Sequence, residues 1–218
     1  MKPSKALSLL LSLCLALFWL TAAVSVPILC RPFYYAQADA LELPAQTGLD
    51  RQTIREAYDD VMDYLVWDEP FGTGALKWSE SGKAHFQDCK ALFQLNFVLL
   101  GFSAAVLALL ALLRRAGRLP FHRFLGRSPA FWAAAGLTLL FLLAAIWALL
   151  DFDSLFTAFH RIFFPGKTNW MFDWRTDEII LILPEAFWAR TGALVLGISL
   201  GGAWLTAAAA HWLSARRK

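Results

Sequence analysis

Apolar residues in this chain fall into four long runs, at 6–29, 91–113, 129–150 and 191–213. The middle two contain no charged residue. The 23 residues of 91–113 would rise about 34 Å as a helix, enough to cross a hydrocarbon core of about 30 Å. Runs of this length are poor matches for barrel strands. The pattern predicts an all-α polytopic membrane protein. It consists of a four-helix transmembrane bundle with a small extracytoplasmic domain formed by the loops 31–90 and 151–190.

Shorter periodicities occupy those loops. Ile54, Tyr58, Val61 and Leu65 are spaced 4, 3 and 4 apart, the stripe of an amphipathic helix, with Thr47 as its expected cap and Asp50 supporting the start. Trp67-Asp68-Glu69-Pro70-Phe71-Gly72 breaks that pattern. Ser79 or Ser81 is expected to cap a helix that runs through His85 and Asp88 into the second span, with Gly82 in its first turn. In the second loop a helix is expected from Asp151 through Phe163, ended by Pro165-Gly166. Thr176 is expected to cap a short helix through Leu183, and Pro184-Glu185 to open the fourth span. Phe152, Leu155, Phe156, Phe159, Ile162, Phe163 and Phe164 make this loop very apolar. Such a segment suits the headgroup region, and the same aromatics can form the core of a small outer domain. In the fourth run Gly197 and Gly201 form a GxxxG, which predicts close helix approach inside the bundle, with Gly101 and Ala105 as a matching face. Trp188 and Trp212 sit near its two ends, as interfacial anchors do.

Composition narrows the class. The residues AVILMFWYC make up 58% of the 218, and charged residues only 17%, against roughly 25% in soluble domains. A water-soluble domain of this size has no core large enough to hide that surface. The balance disfavours a soluble enzyme, a disordered chain and a nucleic-acid binder. Three cysteines, Cys14, Cys30 and Cys89, suggest no disulfide framework.

Charge sets the orientation. Lys2, Lys5, Arg114, Arg115, Arg118, Arg123, Arg127, Arg216, Arg217 and Lys218 lie in the two termini and the 114–128 loop, which hold none of the 17 acidic residues. The positive-inside rule puts these segments, and so both termini, in the cytoplasm. The two larger loops then face outward. Lys2 and Lys5 before a Leu-rich run, with Ala23-Val24-Ser25 after it, also resemble a cleavable signal peptide. The length of the run favours an uncleaved anchor, and Leu29 before Cys30 argues against a lipoprotein signal.

Two of the four histidines fall at the outer face: His85 before the second span and His160 after the third. Helices of one bundle can bring them to a shared substrate atom. Asp88 lies three residues after His85, on the same helical face, where a carboxylate can orient the imidazole and stabilise its cation. Tyr58, Asp63, Asn169, Asp173, Asp177 and Glu185 are further polar candidates. A metal site from His85, Asp88, His160 and Asp177 is conceivable, but no ligand spacing such as HExxH supports it. There is no GxSxG nucleophile elbow. Cys89, adjacent to Asp88, is expected not to share the face of His85 and is a weak nucleophile candidate. The spans lack the ionisable steps of a transporter. The residues point to an outward-facing site acting on a lipid or lipid-linked substrate.

Ser79-Glu80-Ser81-Gly82-Lys83-Ala84-His85-Phe86-Gln87-Asp88-Cys89-Lys90 resembles an S…H-x-x-D-x-K motif. Phe159-His160-Arg161-Ile162-Phe163-Phe164 resembles F-H-x-x-F-F. Asn169-Trp170-Met171-Phe172-Asp173, followed by Asp177 and Leu183-Pro184-Glu185, resembles a W-x-F-D…D…L-P-E stretch. In this combination and order the chain resembles the lipoprotein intramolecular transacylases, a family of four-helix integral membrane proteins. The departure is Cys89, where a β-branched apolar residue is expected.

The resemblance implies a bacterial cytoplasmic-membrane enzyme whose partners are a diacylglyceryl-modified lipoprotein and membrane lipid. It moves the sn-2 acyl chain of the diacylglyceryl-cysteine to the cysteine α-amine, giving the lyso form, without a cofactor or metal. The catalytic histidines map to His85 and His160, with Asp88 orienting His85. Which histidine is base and which acid stays open. Tyr58, Asn169 or Arg161 are expected to donate to the developing oxyanion. Nothing demands more than a monomer. The rival readings are a hydrolase or acyltransferase of free phospholipid and a non-catalytic accessory subunit.

Overall fold

The computed structural model describes residues 3–116 and 121–216. Lys2, Arg118, Arg217 and Lys218, which enter the charge asymmetry, lie outside them. Eight α-helices occur among the described residues: α1 (Lys5–Leu29), α2 (Arg31–Ala40), α3 (Leu43–Thr47), α4 (Arg51–Trp67), α5 (Glu80–Arg115), α6 (Pro129–Leu150), α7 (Phe152–Phe163) and α8 (Glu185–Ala215). A 3-10 helix occupies Glu178–Ile182. No strand is present among the described residues.

Helices α1, α5, α6 and α8 are long and apolar enough to cross a membrane, and at most 28% of each apolar window is buried in the protein. The rest is apolar surface that needs lipid rather than water. Helix α5 has 36 residues, about 54 Å of helix. It therefore extends well beyond the apolar run, and His85 and Asp88 lie on this polar extension.

The chain forms two compact units. One comprises the residues up to Val24, Asn96–Leu150, and those from Leu194 onward. Its core is Ala130, Ala134, Leu137, Ala203 and Ala207, flanked by Leu15, Trp19, Leu20 and Phe141. Pairs of alanines four residues apart on α6 and α8 let these helices pack closely in lipid. Ser12 Oγ donates to the Pro129 carbonyl (3.0 Å), Trp19 Nε1 to Thr206 Oγ1 (3.1 Å) and Trp204 Nε1 to Thr138 Oγ1 (3.1 Å). The expected GxxxG contact is not made: a Cβ on Gly197, Gly201 or Gly101 would meet nothing within 4 Å. The glycine that packs tightly is Gly202, where a Cβ would collide with the Trp19 ring. A sequence motif cannot say which face of α8 turns toward α1.

The other unit comprises Ser25–Leu95 and Asp151–Ala193. The α4 stripe of Ile54, Tyr58, Val61 and Leu65 is buried, together with Tyr34, Leu43, Ile179 and Ile182. Tyr34 stacks on Tyr58, with centroids 3.6 Å apart, and donates its hydroxyl to the Ile182 carbonyl (3.0 Å). Arg31 pairs with Asp59 and Asp63. Helices α2 and α3 had no clear periodic signal.

Two expected helix starts are displaced. Thr47 does not cap α4: its hydroxyl donates to the Leu43 carbonyl and closes α3. Gly48, at φ +75°, ends α3, and Asp50 caps α4 by accepting from Thr53 N at 2.9 Å. Thr176 does not cap an α-helix either. Its hydroxyl donates to Asp177, and the following turn is 3-10, beginning at Glu178.

Candidate active site

The site lies within the second unit, in Ser25–Leu95 and Asp151–Ala193. The segment before α5 is clamped to the segment before α8. Glu178 N donates to the Lys77 carbonyl (3.0 Å), and Lys77 N donates to Glu178 Oε2 (2.9 Å). Next to this clamp lies the buried carboxylate of Asp177, which accepts from Ser79 N (2.8 Å), Ser79 Oγ (2.9 Å) and Thr176 Oγ1 (2.9 Å). Ser79 Oγ in turn accepts from Gly82 N (3.0 Å), a side-chain cap for one of the orphan amides of α5. The first turn of α5 is thereby fixed, and His85 follows on the next.

Helix α7 positions the second imidazole. Asp151 caps it, accepting from Ser154 N at 2.9 Å. His160 Nδ1 lies 2.7 Å from the Phe156 carbonyl. A carbonyl only accepts, so Nδ1 carries the hydrogen and Nε2 is the bare nitrogen of the neutral ring. Phe156 (4.1 Å) and Trp170 (4.6 Å, stacked) both pack against the ring and lie 6.0 Å from each other. His85 lies against it, with ring centroids 5.9 Å apart. Phe164 and Phe172 pack edge-on to His85 at 5.0 and 5.4 Å. Both imidazoles are buried. On the outside of α7, Phe159, Ile162 and Phe163 are exposed.

This apolar setting keeps both rings neutral. Burial pushes His85 down to about 4; a nearby His160 adds to the effect and Lys167 adds slightly, while Asp88 partly opposes it. Burial also lowers His160, opposed by its bond to Phe156. For Asp88, burial favours the protonated acid, but hydrogen bonds from Lys167 and Asn169 outweigh it and hold the carboxyl below its usual range.

Asp88 is not hydrogen-bonded to His85, in contrast to the expected pairing. Its carboxylate accepts from Lys167 Nζ and, at 3.1 Å, from Asn169 Nδ2. Its influence on His85 is that of a charge, not of an orienting bond. The expectation for Cys89 also fails. Four residues after His85, it lies on the same helical face, with Sγ 3.4 Å from His85 Nε2. Burial pushes its thiol up to about 12, which leaves almost no nucleophilic thiolate.

The remaining candidates separate. Asn169 binds Asp88, which lies one helical turn after His85. Tyr58 lies in the aromatic stack with Tyr34. Arg161 is exposed on α7. Asp173 is exposed and builds a turn, accepting from Arg175 N (3.0 Å). Asp177 is committed to Ser79 and Thr176, so the conceivable four-residue metal set is not assembled. No group of three or more His, Cys, Asp or Glu suited to a metal occurs among the described residues. Lys167 escaped the sequence reading because a lysine after a Pro-Gly turn carries no periodic signal. Gly82 was legible only as an oddity: a Cβ there would run into Asp177.

A family model described as lipoprotein intramolecular transacylase matches residues 9–188. No curated protein matches the sequence. Among solved structures, the chain is similar to the membrane-integral lipoprotein intramolecular transacylase of Bacillus cereus, at TM-score 0.85 and 21% identity, covering 96% of this chain and 95% of that one. Structures of the same Bacillus cereus protein with an H85R and an H85A mutation, in its own numbering, match at TM-scores of 0.79 and 0.80, at 22% and 20% identity, covering 96% of this chain and 91% and 93% of theirs.

Proposed function

Because the chain belongs to the lipoprotein intramolecular transacylase family, it is an integral membrane acyltransferase acting on lipoproteins, and we propose that His85 and His160 carry the proton transfers of its reaction. The substrate is a lipoprotein whose N-terminal cysteine bears a diacylglyceryl group. The sn-2 acyl chain moves from the glycerol oxygen to the cysteine α-amine. One C–N bond forms, one C–O bond breaks, and the product is the lyso form.

The supporting observation is the pair of buried imidazoles 5.9 Å apart, each shifted toward the neutral form. A neutral imidazole accepts a proton from the amine as it attacks and returns one to the departing oxygen. The α-ammonium, with an ordinary pKa of about 7.7–8.0, first gives a proton to His160 Nε2, the bare nitrogen. The amine then attacks the ester carbonyl. His85 takes the second amine proton while protonated His160 delivers its own to the glycerol oxygen. The two rings thus exchange charge rather than holding it together, consistent with their mutual repulsion. Amine and ester belong to one molecule, so the site needs only to fold the headgroup into an attack pose. Asp88 remains ionised and limits the cost of a nearby imidazolium.

The excess of basic residues in the termini and the 114–128 loop supports a cytoplasmic location for both ends and an outer-face site. The exposed Phe159, Ile162 and Phe163 on α7 suit contact with the headgroup boundary, where a lipid-anchored substrate is presented. The chain acts as a monomer.

The test is co-expression with a diacyl lipoprotein, followed by mass spectrometry of its N-terminal peptide. One acyl chain moved to nitrogen is the expected result. An unchanged diacyl peptide, with this protein demonstrably in the membrane, would overturn the proposal.

A further inference from the structure

Two buried side-chain atoms at the site have no hydrogen-bond partner among the described residues: His85 Nδ1 and Asn169 Oδ1. A buried polar atom left unsatisfied is costly, so such atoms at a catalytic site call for a ligand. Their polarity specifies it. The Asn169 amide atom 3.1 Å from Asp88 Oδ2 must be the NH2 group, because a carboxylate only accepts. With Asp88 held in turn by Lys167, the amide cannot turn over without placing oxygen against carboxylate. Oδ1 is therefore locked as an acceptor. This reverses the sequence expectation, in which Asn169 donates to the oxyanion. His85 Nδ1 becomes an acceptor too when Nε2 carries the hydrogen toward Cys89 Sγ, 3.4 Å away. Cys89 stands as a weak acceptor for it.

From this pair of acceptors we infer that His85 Nδ1 and Asn169 Oδ1 form the subsite for the attacking primary amine, each taking one of its two N–H groups. The inference rests on the acyl-transfer reading above. The nitrogen lone pair forms the bond to the ester carbonyl carbon as the bond to the glycerol oxygen breaks. One N–H proton passes to His85 Nδ1. The other stays on nitrogen, becomes the amide N–H of the product, and is held throughout by Asn169 Oδ1. Asn169 thereby aims the lone pair and selects a nucleophile with two hydrogens. A secondary amine has one N–H, which the chemistry consumes, and would put its alkyl group against the buried oxygen.

The experiment compares a synthetic diacylglyceryl-cysteine lipopeptide bearing a free α-amine with its N-methyl counterpart, using the full-length purified protein and following kcat/KM for each. The wild type is expected to prefer the primary amine by at least about 10-fold, the scale of one lost hydrogen bond plus an unsatisfied acceptor. Asn169→Leu is expected to slow the primary amine and bring the preference to within about 3-fold, since neither substrate then has an acceptor to satisfy. Asn169→Ala serves for the same comparison if the leucine variant does not fold. A purely structural role for Asn169 would slow both peptides alike and leave the preference intact, which would overturn the inference. Equal conversion of both peptides by the wild type would overturn it without any variant. Failure of the wild type to convert even the free-amine peptide would instead bring down the acyl-transfer reading on which the inference rests.

Discussion

Asp177 occupies the space that a side chain at position 82 would need: a Cβ added to Gly82 runs into its carboxylate and then into the Phe172 ring. The same carboxylate binds the amide and hydroxyl of Ser79. The glycine in the first turn of α5 is what lets a residue 95 positions away close over the helix start, one turn before His85.

Gly82→Ala should therefore displace Asp177 and loosen the turn that aims His85. Overpacking of this kind costs about 1–3 kcal/mol. The melting temperature of the detergent-solubilised protein should fall. An unchanged melting temperature would mean that Asp177 yields without loss.

His85→Ala should lower the acyl-transfer rate by about 10²–10⁴-fold, the usual worth of a general acid–base group. Asp88→Asn should have a smaller effect, about 10-fold, because it loosens charge-assisted hydrogen bonds worth roughly 1.5–3 kcal/mol to Lys167 and Asn169 and leaves the imidazole in place. The lipopeptide conversion assay ranks the two. A larger loss for Asp88→Asn than for His85→Ala would contradict this division of labour.

Acid should weaken the second unit, Ser25–Leu95 with Asp151–Ala193, through His85. Folded, the ring stays neutral down to about 4; in an opened chain an imidazole titrates near 6.5. Between those values the opened form binds the extra proton, so stability is full above about 6.5 and is lost progressively toward about 4. Thermal melts from pH 7.5 to 4.5 should show this decline, with a shallower slope in His85→Gln. Parallel slopes for the two proteins would assign the acid sensitivity to other groups.

Among the three cysteines, Cys30 is exposed and Cys14 is buried, while burial pushes the Cys89 thiol up to about 12. Maleimide at neutral pH should label Cys30 and spare Cys89, as read by peptide mass spectrometry. Rapid labelling of Cys89 would show an accessible thiolate beside His85 and would reopen a nucleophilic role for it.

Gly202→Ala should destabilise the packing of α8 against α1 by about 1–3 kcal/mol, because its new methyl group meets Trp19. Gly197→Ala and Gly201→Ala enter open space and should leave the melting temperature unchanged or slightly raised, since alanine is the better helix former. Equal losses at all three positions would restore the GxxxG motif as the contact face.

Local periodicity determined the four apolar helices, the buried stripe of α4, the start of α7 at Asp151 and the placement of two histidines just outside the apolar runs. These features depend on residues within one or two helical turns, so their signal lies in the order of the chain. The motif resemblance added the family, because several short patterns recur in a fixed order. Tertiary packing decided the rest. Asp88 meets Lys167 and Asn169 across separations of 79 and 81 positions, so no spacing rule could show that it turns away from His85. The orientation of the Asn169 amide depends on that same contact, and so does its use as acceptor rather than donor. Which glycine carries the helix contact followed from the rotation of α8, a choice that a run of small residues leaves open. Contacts within a turn are written in neighbouring residues; contacts between distant segments are set only when the buried surfaces of separate helices find a common fit.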